Sequence, residues 1–207
     1  MSATTTQPDS RTRLLDAAMQ VIRARGYSGT TVDDICSAAG LTKGAFFHHF
    51  GSKEELAVAA AAHFSQRAER LFGTAPYREL ADPLDRLLGY IDFRTALLAG
   101  ALPEFTCLLG TMVQEAYDTH PAIRQACDTY IGAHAAEVAK DIAAAKALYA
   151  PAAEWSAESL GLYTQAVLQG AFVLAKAKGG PEVARDCVAH LRRYFLHLFH
   201  RPTSKEE

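Results

Sequence analysis

The residues best suited to chemistry in this chain lie between positions 42 and 53. The run TKGAFFHH contains Lys43, Gly44, Phe47 and His48, in which 43 and 47, and likewise 44 and 48, are four residues apart. On a helix this spacing places the four side by side on one face. The face offers a cation, an imidazole that can be protonated and a glycine that permits close approach. Such a face suits the major groove of DNA, where phosphates border base edges rich in acceptors.

Just before this face, a short amphipathic helix is predicted. Apolar residues recur there at i, i+3, i+4 and i+7 and must pack against something: Val32, Ile35, Cys36 and Ala39. Thr31 is the predicted N-cap, with Asp34 three residues on as in a capping box, and Gly40 is the left-handed stop just past the helix end. The sequence therefore predicts a helix, a tight turn and a second helix.

The second helix is predicted to turn its aromatic side inward. Thr42 is its N-cap, so that Leu41 and Phe46 have the spacing of a hydrophobic staple, which fixes the angle between the two helices. Phe50 lies one turn below Phe46. We therefore expect Phe46 and Phe50 to be core residues and the opposite face to be exposed.

A further helix is predicted to follow almost at once. Ser52 caps it, with Glu55 in the capping-box position. Lys53 lies at the end of this helix where backbone N–H groups can also hold a phosphate.

Taken together, these motifs resemble the DNA-binding region of the tetracycline-repressor (TetR) family over about residues 11 to 60. The resemblance is carried by the run GLTKGAFFHHFGSKEEL, preceded by TTVDDICSAAG and by a helix ending RARGYSG. In the family a tyrosine usually stands at the position of Phe47, and its hydroxyl reaches a phosphate, so that contact is missing here. The resemblance implies that these residues face DNA: Thr31, Thr42, Lys43, Gly44, Ala45, Phe47, His48 and Lys53.

Metal, disulfide and cofactor sites are not predicted. His48 and His49 are adjacent, and adjacent residues on a helix point about 100 degrees apart with no third ligand within a turn. The four cysteines, at positions 36, 107, 127 and 187, are scattered without a C-x-x-C pair or a zinc-finger histidine.

The charge of the chain limits where DNA could bind. The 207 residues carry a net charge of −2, which argues against a protein that coats nucleic acid along its whole surface. Residues 1–53 contain six Lys or Arg and four Asp or Glu, a net charge of +2, which leaves −4 for the remainder. No charged start followed by an apolar segment and no long apolar run is present, so we expect a cytoplasmic protein.

An all-α protein of about nine helices is predicted. Helical periodicity begins near Ser10, and the expected domains are a three-helix helix-turn-helix domain at 1–52 and a larger helical ligand-binding and dimerisation domain at 53–201. A polar start at 1–9 and a tail at 202–207 are predicted to be disordered. Pro103 is predicted to begin one short helix, and Pro121 to Tyr149 one long alanine-rich helix.

The last two helices carry apolar seams with steps of three and four residues, which favour a partner helix. We predict a symmetric four-helix bundle made by two chains, because a single small recognition helix makes too few base contacts. The alternative is that both seams belong to the core of one chain. The predicted interface consists of Tyr163, Val167, Gly170, Leu174, Cys187, Leu191, Tyr194 and Leu198.

A pocket for a small-molecule effector is implied by the resemblance. Because such pockets are mainly apolar with a few polar groups, the predicted lining is Phe64, Phe93, Phe105, Cys107, Met112, Tyr130, His134, Gln169 and Phe172. Ordinary core packing is the alternative for each of them. Cys107 lies beside a predicted helix start, where a thiolate is favoured, so reaction with an electrophile or oxidant is one hypothesis and an inert buried thiol is the other.

The function predicted is that of a DNA-binding regulator, a repressor released from its operator by a small, mainly apolar ligand or an electrophile. Ligand binding would move the helix that begins at Lys53 and change the spacing of the two recognition helices, which lie about one DNA turn apart or a multiple of it. An all-α enzyme or a helical adaptor is the competing interpretation. The chain contains no Glu-x-x-His pair, no glycine-rich phosphate loop and no His-Glu-x-x-His motif.

Overall fold

The computed structural model describes residues 9–200, and within that range the chain forms ten α-helices and no strand. The prediction of an all-α fold is confirmed. The predicted tail at 202–207 and all but the last residue of the predicted polar start lie outside the described range. The helices are α1 (Ser10–Arg25), α2 (Val32–Ala39), α3 (Lys43–His49), α4 (Lys53–Gly73), α5 (Pro83–Ala96), α6 (Leu102–Phe105), α7 (Leu108–Ala116), α8 (Pro121–Tyr149), α9 (Ala157–Lys178) and α10 (Glu182–Leu198), with a 3₁₀ turn at Pro76–Glu79.

Two local differences from the prediction have simple causes. The segment after Pro103 divides into α6 and α7, because Thr106 adopts an extended conformation and its hydroxyl donates to the Leu102 carbonyl at 2.8 Å. Asp9 belongs to the ordered chain, since its carboxylate accepts a hydrogen bond from the Thr12 amide at 2.7 Å and caps α1. That bond also lowers the pKa of the Asp9 carboxyl.

The described residues divide into two compact units by their internal contacts. The first contains the described residues up to Ala68 together with Leu108–Asp128, and the second contains Glu69–Cys107 together with the described residues from Thr129 onward. The division falls inside α4 and inside α8. The predicted domain boundary between residues 52 and 53 stays a prediction. It was drawn from sequence motifs, whereas the division into units is drawn from internal contacts.

In the first unit, α1 is the central support. It packs against α2, α3 and α7. Its fully buried side chains meet equally buried side chains of the other helices, so that a small head acquires a continuous core. The largest members of this core are Leu14, Ile22, Ile35, Phe46, Phe50, Leu56, Leu108 and Met112.

In the second unit, α9 and α10 form a helical hairpin and α10 also packs on α5. Gly179 ends α9 in the left-handed conformation at φ 77°, which lets the chain reverse before α10. On its other side α9 touches α8 at Gly161, where an added Cβ would lie 2.5 Å from the Ala135 carbonyl oxygen. Backbone contact at this point therefore requires a residue without a side chain.

None of the helices formed by residues 9–200 combines the length and the apolar character that a membrane span requires.

Candidate nucleic-acid interface

The first helix of the predicted motif, α2, is fixed at both ends. Thr31 and Asp34 form the predicted capping box, in which Thr31 Oγ1 accepts from the Asp34 amide at 3.1 Å and the Thr31 amide donates to Asp34 Oδ2 at 2.9 Å. Donation from the Thr31 hydroxyl is the main reason that the pKa of the Asp34 carboxyl is lowered. At the other end, Gly40 is left-handed with φ 62°, and Arg13 of α1 donates to the Ala39 carbonyl at 2.6 Å.

The second helix, α3, is anchored through its aromatic side. Thr42 Oγ1 accepts from the Ala45 amide at 3.2 Å, as a predicted N-cap should. Phe46 is fully buried, and its ring centroid lies 5.9 Å from that of the buried Phe50. The Arg11 guanidinium lies 5.3 Å from the centre of the Phe50 ring. The predicted inward face of α3 is confirmed.

The opposite face of α3 is open to solvent. Lys43, Gly44 and His48 are exposed, and the Phe47 side chain is 58% exposed with its ring edge against Phe46 at 5.1 Å between centroids. Thr31 and Thr42 are also exposed, and Ala45 is half-buried. We call Lys43, Gly44, Phe47 and His48 the α3 outer face. Because the Phe47 ring is mostly exposed, it contributes little to the core. The α3 outer face is therefore accessible to an external partner.

Lys43 already has a partner on the protein, which the sequence patterns did not predict. Its ammonium lies 2.9 Å from Asp33 Oδ1 of α2, and both side chains are more than half exposed. A pair so open to water contributes little to stability. Lys43 can therefore exchange Asp33 for a phosphate at small cost.

Gly44 has no internal reason to be glycine. An added Cβ would meet only Thr42 Oγ1, at an ordinary contact distance of 3.6 Å, and its φ is not positive. A glycine inside a helix costs about 0.5–1 kcal/mol relative to alanine. The described residues therefore do not require glycine here, and the backbone at this position is open to close approach from outside.

Lys53 differs from the other residues implied to face DNA. Its ammonium donates to the Tyr27 carbonyl at 3.0 Å and to the Thr30 carbonyl at 2.9 Å, and it lies 4.2 Å from the centre of the Tyr27 ring. The side chain is thus turned toward the α1–α2 loop and away from the α3 outer face. No spacing rule predicts this, because the two acceptors are backbone carbonyls more than twenty residues away.

The cap of α4 also differs in detail from the prediction. Ser52 Oγ accepts from the Glu55 amide at 3.0 Å, as expected. The Glu55 carboxylate, however, accepts from the Gly51 amide at 2.7 Å and not from the Ser52 amide that a capping box would use.

The loop between α1 and α2 is held by a residue that the sequence did not point to. Glu115 of α7 accepts a hydrogen bond from the Ser28 amide at 2.7 Å. Gly26 has φ 83°, and an added Cβ there would lie 2.2 Å from the Glu115 carboxylate, so both the conformation and the space require glycine. Glu115 and Lys53 together fix the loop that leads into α2.

The predicted effector-pocket residues fall into separate groups. Phe64 and Met112 belong to the first unit, where Phe64 lies under the Arg23 guanidinium and Met112 is fully buried. In the second unit Phe93 and His134 both contact Phe72, at 5.6 and 5.0 Å between ring centroids.

The remaining predicted pocket residues also lie in the second unit. Phe105 and Phe172 have ring centroids 6.5 Å apart. Cys107, Tyr130 and Gln169 are half-buried. Which of them contact a ligand stays a prediction.

The predicted dimer residues are mostly, but not all, on the surface. Tyr163, Gly170 and Leu174 of α9 and Tyr194 of α10 are exposed, and the Tyr163 and Tyr194 rings are 5.2 Å apart. Val167, Cys187 and Leu198 are half-buried. Leu191 is only 2% exposed, so its assignment to an interface was wrong. The steps of three and four residues that predicted the interface fit the protomer's own core equally well, and Leu191 lies in that core.

Family models match both parts of the chain. The model described as "Bacterial regulatory proteins, tetR family" matches residues 14–60, and "Tetracyclin repressor-like, C-terminal domain" matches residues 83–191, more than half of the chain by itself. The chain belongs to the TetR family. The first match contains the whole α2–turn–α3 motif, and the second contains α5 to α9 and part of α10.

Curated relatives of this TetR-family chain are named as transcriptional repressors. The HTH-type transcriptional repressor DhaR from Mycobacterium sp. is 32% identical over 105 residues, 51% of each protein. The HTH-type transcriptional repressor KstR2 from Mycobacterium tuberculosis is 40% identical over 83 residues, which is 38% of this chain and 39% of KstR2. The chain thus aligns with about half, or less, of the curated relatives it matches.

Solved structures of TetR-family proteins share the fold along most of the chain. A TetR transcriptional regulator from Chloroflexus aurantiacus superimposes with a TM-score of 0.77 at 26% identity, covering 89% of this chain and 93% of that one. A regulatory protein TetR from Rhodobacter sphaeroides gives 0.80 at 23% identity, covering 89% and 98%. Reduced NemR from E. coli gives 0.74 at 22% identity, covering 89% and 96%.

Proposed function

We propose that this chain is a transcriptional repressor that binds operator DNA as a homodimer through the α3 outer face and leaves it when a small molecule binds the larger helical domain. The observation that carries the proposal is the exposed arrangement of Lys43, Gly44, Phe47 and His48 on a helix whose other side is buried. Membership of the TetR family and the names of the curated relatives, which are repressors, support it.

The chemistry of the α3 outer face fits a major groove. Lys43 can neutralise one phosphate or donate to a guanine edge, and His48 can donate to base acceptors. Gly44 lets the helix backbone come close to the DNA. Phe47 supplies apolar contact with sugar or a thymine methyl group, without the hydroxyl that would reach a phosphate.

Pairing of two chains is the second part of the proposal. The exposed side of α9 presents Tyr163, Gly170 and Leu174, and α9 carries no charged residue from Ser159 to Ala175. Burying this face against a second copy removes apolar surface from water, and it presents two α3 helices to DNA at once. Two half-sites give the affinity that one short helix cannot supply.

Release by an effector is the third part. The predicted effector-binding residues lie in the predicted larger domain, residues 53–201, and α4 contributes residues to both compact units, so a change in α4 is a route by which a ligand would alter operator affinity. The loss of operator affinity is at most the factor by which the ligand prefers the state that does not bind DNA. A regulator of this kind would act in the cytoplasm, where the chromosome is.

A mobility-shift assay with DNA from around the chain's own gene, repeated at several salt concentrations, tests the proposal. We expect a sequence-specific shift whose affinity falls steeply with salt, because bound phosphates release counterions. An unrelated duplex of equal length is the control. Equal shifts with both duplexes, or none with either, would contradict the proposal.

A further inference from the structure

The second compact unit contains four half-buried arginines, and three of them are paired with carboxylates. Arg86 lies 2.7 Å from Asp141, Arg192 lies 2.8 Å from Asp92, and Arg78 lies 3.3 Å from Glu137. Arg94 is the exception, since no carboxylate of the described residues lies within ion-pair distance of it. A partly desolvated guanidinium without an anion is unusual, because burial of an unpaired charge is unfavourable.

The Arg94 side chain is nevertheless held firmly in one place. Its Nε donates to the Tyr90 hydroxyl at 3.0 Å, and its Nη2 donates to His134 Nε2 at 3.0 Å. The guanidinium lies 4.4 Å from the centre of the Phe72 ring, within cation–π distance. Two neutral groups and a ring thus orient Arg94 and leave its remaining N–H donors for something else.

His134 does not add a second positive charge to this group. Burial is the main reason that its pKa is lowered to about 3, and the nearby charge of Arg94 lowers it further. The imidazole is therefore neutral at physiological pH, with Nε2 accepting the bonds from Arg94 and Tyr90. The group has one net positive charge, carried by Arg94.

Aromatic rings surround this charge. Phe93 lies edge-on to Phe72 at 5.6 Å, and Tyr77 lies 5.9 Å from both Tyr90 and Phe93 between centroids. The same cluster thus joins an oriented guanidinium to apolar surface, which is the composition expected of a site for a ligand with an acid group on an apolar body.

A second polar group of this unit is also left without a partner. Gln165 is 6% exposed, and its side-chain Nε2 makes no hydrogen bond. It lies one turn along α9 from Gly161, the residue that touches α8 beside His134 at Ala135, and so it faces α8. Buried amide donors are as a rule hydrogen-bonded, so this donor is open to an acceptor that does not belong to the chain.

We propose that the effector is an organic acid whose carboxylate binds Arg94, oriented by Tyr90 and His134, while its apolar body lies against the half-buried ring of Phe93. This rests on the proposed function, because it names the class of molecule that releases the repressor. Guanidinium and carboxylate match in shape and can form two parallel hydrogen bonds.

Matched probes that differ only in charge test this. The full-length wild type and variants are titrated with 4-phenylbutyrate, with 4-phenylbutan-1-ol and with inorganic phosphate by isothermal titration calorimetry. In the wild type, labelled with ¹⁵N in its arginine side chains, the Arg94 Nε signal is followed as well. We expect a saturable shift with 4-phenylbutyrate, at least ~10-fold weaker binding of the alcohol and of phosphate, and loss of the preference for the acid in Arg94→Gln. Equal affinities for acid and alcohol would overturn the proposal, and so would the absence of any shift up to the solubility of the acid.

Two further variants separate ligand binding from folding. Arg192→Gln removes a half-buried arginine that is already paired, and it should keep the preference for the acid. Arg94→Lys keeps the charge but not the fork of donors, and it should bind 4-phenylbutyrate more weakly than the wild type and more tightly than Arg94→Gln. Retention of full acid preference in both Arg94 variants would overturn the proposal.

A mobility-shift assay with the same proteins distinguishes a failure of the proposed ligand class from a failure of the proposed function. A wild-type protein that shifts operator DNA but does not distinguish acid from alcohol contradicts only the ligand class. A wild-type protein that does not bind DNA specifically contradicts the proposed function, whatever the titration shows.

Discussion

The outer faces of α3 and α9 share one feature and differ in another. Each presents exposed apolar side chains around a glycine that nothing inside the chain requires, Gly44 on α3 and Gly170 on α9. The α3 face adds Lys43 and His48, whereas α9 has no charged residue from Ser159 to Ala175. An open apolar face with cations fits a polyanion, and one without charge fits a second copy of itself.

The difference teaches that exposure of apolar residues does not by itself identify a partner. Phe47 and Leu162 are exposed to nearly the same extent, 58% and 57%. What distinguishes them is the charge of the face around them: Lys43 and His48 lie beside Phe47, whereas α9 has no charged residue from Ser159 to Ala175. Variants that change the charge of one face and not of the other therefore test the comparison.

The largest effect is expected for Leu174→Arg on α9. A charge in the apolar face should separate the two chains, and loss of the second half-site should weaken operator binding by at least ~100-fold. Sedimentation velocity and mobility shift measure the two effects. Leu80→Arg is the matched control, since Leu80 is 43% exposed and Leu174 is 44% exposed, and Leu80 lies outside α9. Dimers with normal affinity in Leu174→Arg would show that α9 does not form the interface.

Removal of the two polar groups of α3 ranks next. Lys43→Ala with His48→Ala should weaken operator binding by ~10- to 100-fold and reduce the salt slope by about 1, because one phosphate contact is lost. The thermal unfolding transition should be unchanged, since both side chains are exposed.

Lys140→Ala is the control for this pair, because Lys140 is also an exposed lysine paired with a carboxylate, 2.5 Å from Glu137, and it lies in the second unit. If the double variant binds DNA as the wild type does, the reading face has been misplaced.

Substitution of Gly44 should change stability and binding in opposite directions. Gly44→Ala should raise the free energy of unfolding by about 0.5–1 kcal/mol, because alanine favours the helix and meets no obstruction. Operator affinity should fall ~10-fold, equivalent to about 1.4 kcal/mol, since the methyl group prevents close approach. Chemical denaturation and fluorescence anisotropy measure the two quantities.

The matched control for Gly44 is Gly132→Ala in α8, where an added Cβ meets nothing within 4 Å and so is not obstructed either. It should stabilise the protein without affecting DNA binding. A stabilised Gly44→Ala with unchanged affinity would remove the argument that a partner approaches this backbone.

Addition of a hydroxyl to the exposed ring should strengthen binding. Phe47→Tyr should raise operator affinity by ~3- to 10-fold through a hydrogen bond to a phosphate. This gain in operator affinity should fall less at high salt than the contribution of Lys43 does, because the hydroxyl adds no charge that releases counterions. Unchanged affinity would indicate that the ring of Phe47 does not lie beside the backbone of the DNA.

The smallest effect is expected for Asp33→Asn. It releases Lys43 and removes a negative charge next to the α3 outer face, so operator affinity should rise ~2- to 5-fold at low salt. Stability should change by less than ~1 kcal/mol, as for other exposed pairs. Weaker binding in Asp33→Asn would mean that Asp33 positions Lys43 and does not compete for it.

Local rules predicted the α2–turn–α3 motif because its determinants are near in sequence. The Thr31 capping box, the left-handed Gly40 and the burial of Phe46 depend on residues within a few positions of each other. Periodicity also predicted the bounds of α1 and α8. These features follow from the period of the helix and from cap chemistry alone.

Features that depend on distant residues were missed. Arg13, Glu115 and Lys53 bind backbone groups that are more than twenty residues away, and no pattern of side-chain types marks a carbonyl or an amide as a partner. Leu191 was misassigned because a seam with steps of three and four looks the same whether it faces the protomer's core or another chain. The Arg94 cluster was missed because only Phe93 and His134 of its members were considered, and the others come from α4, the 3₁₀ turn and α5.

Selection of bound sequences from a random pool of duplex DNA tests the central claim most directly. If two α3 helices read DNA as a pair, the enriched sequences should form an inverted repeat whose half-sites are centred about one helical turn apart, roughly 10 base pairs, or a multiple of it. The same selection with the Lys43→Ala, His48→Ala protein should enrich nothing. Enrichment of an unpaired half-site, or of no sequence by the wild-type protein, would contradict the account.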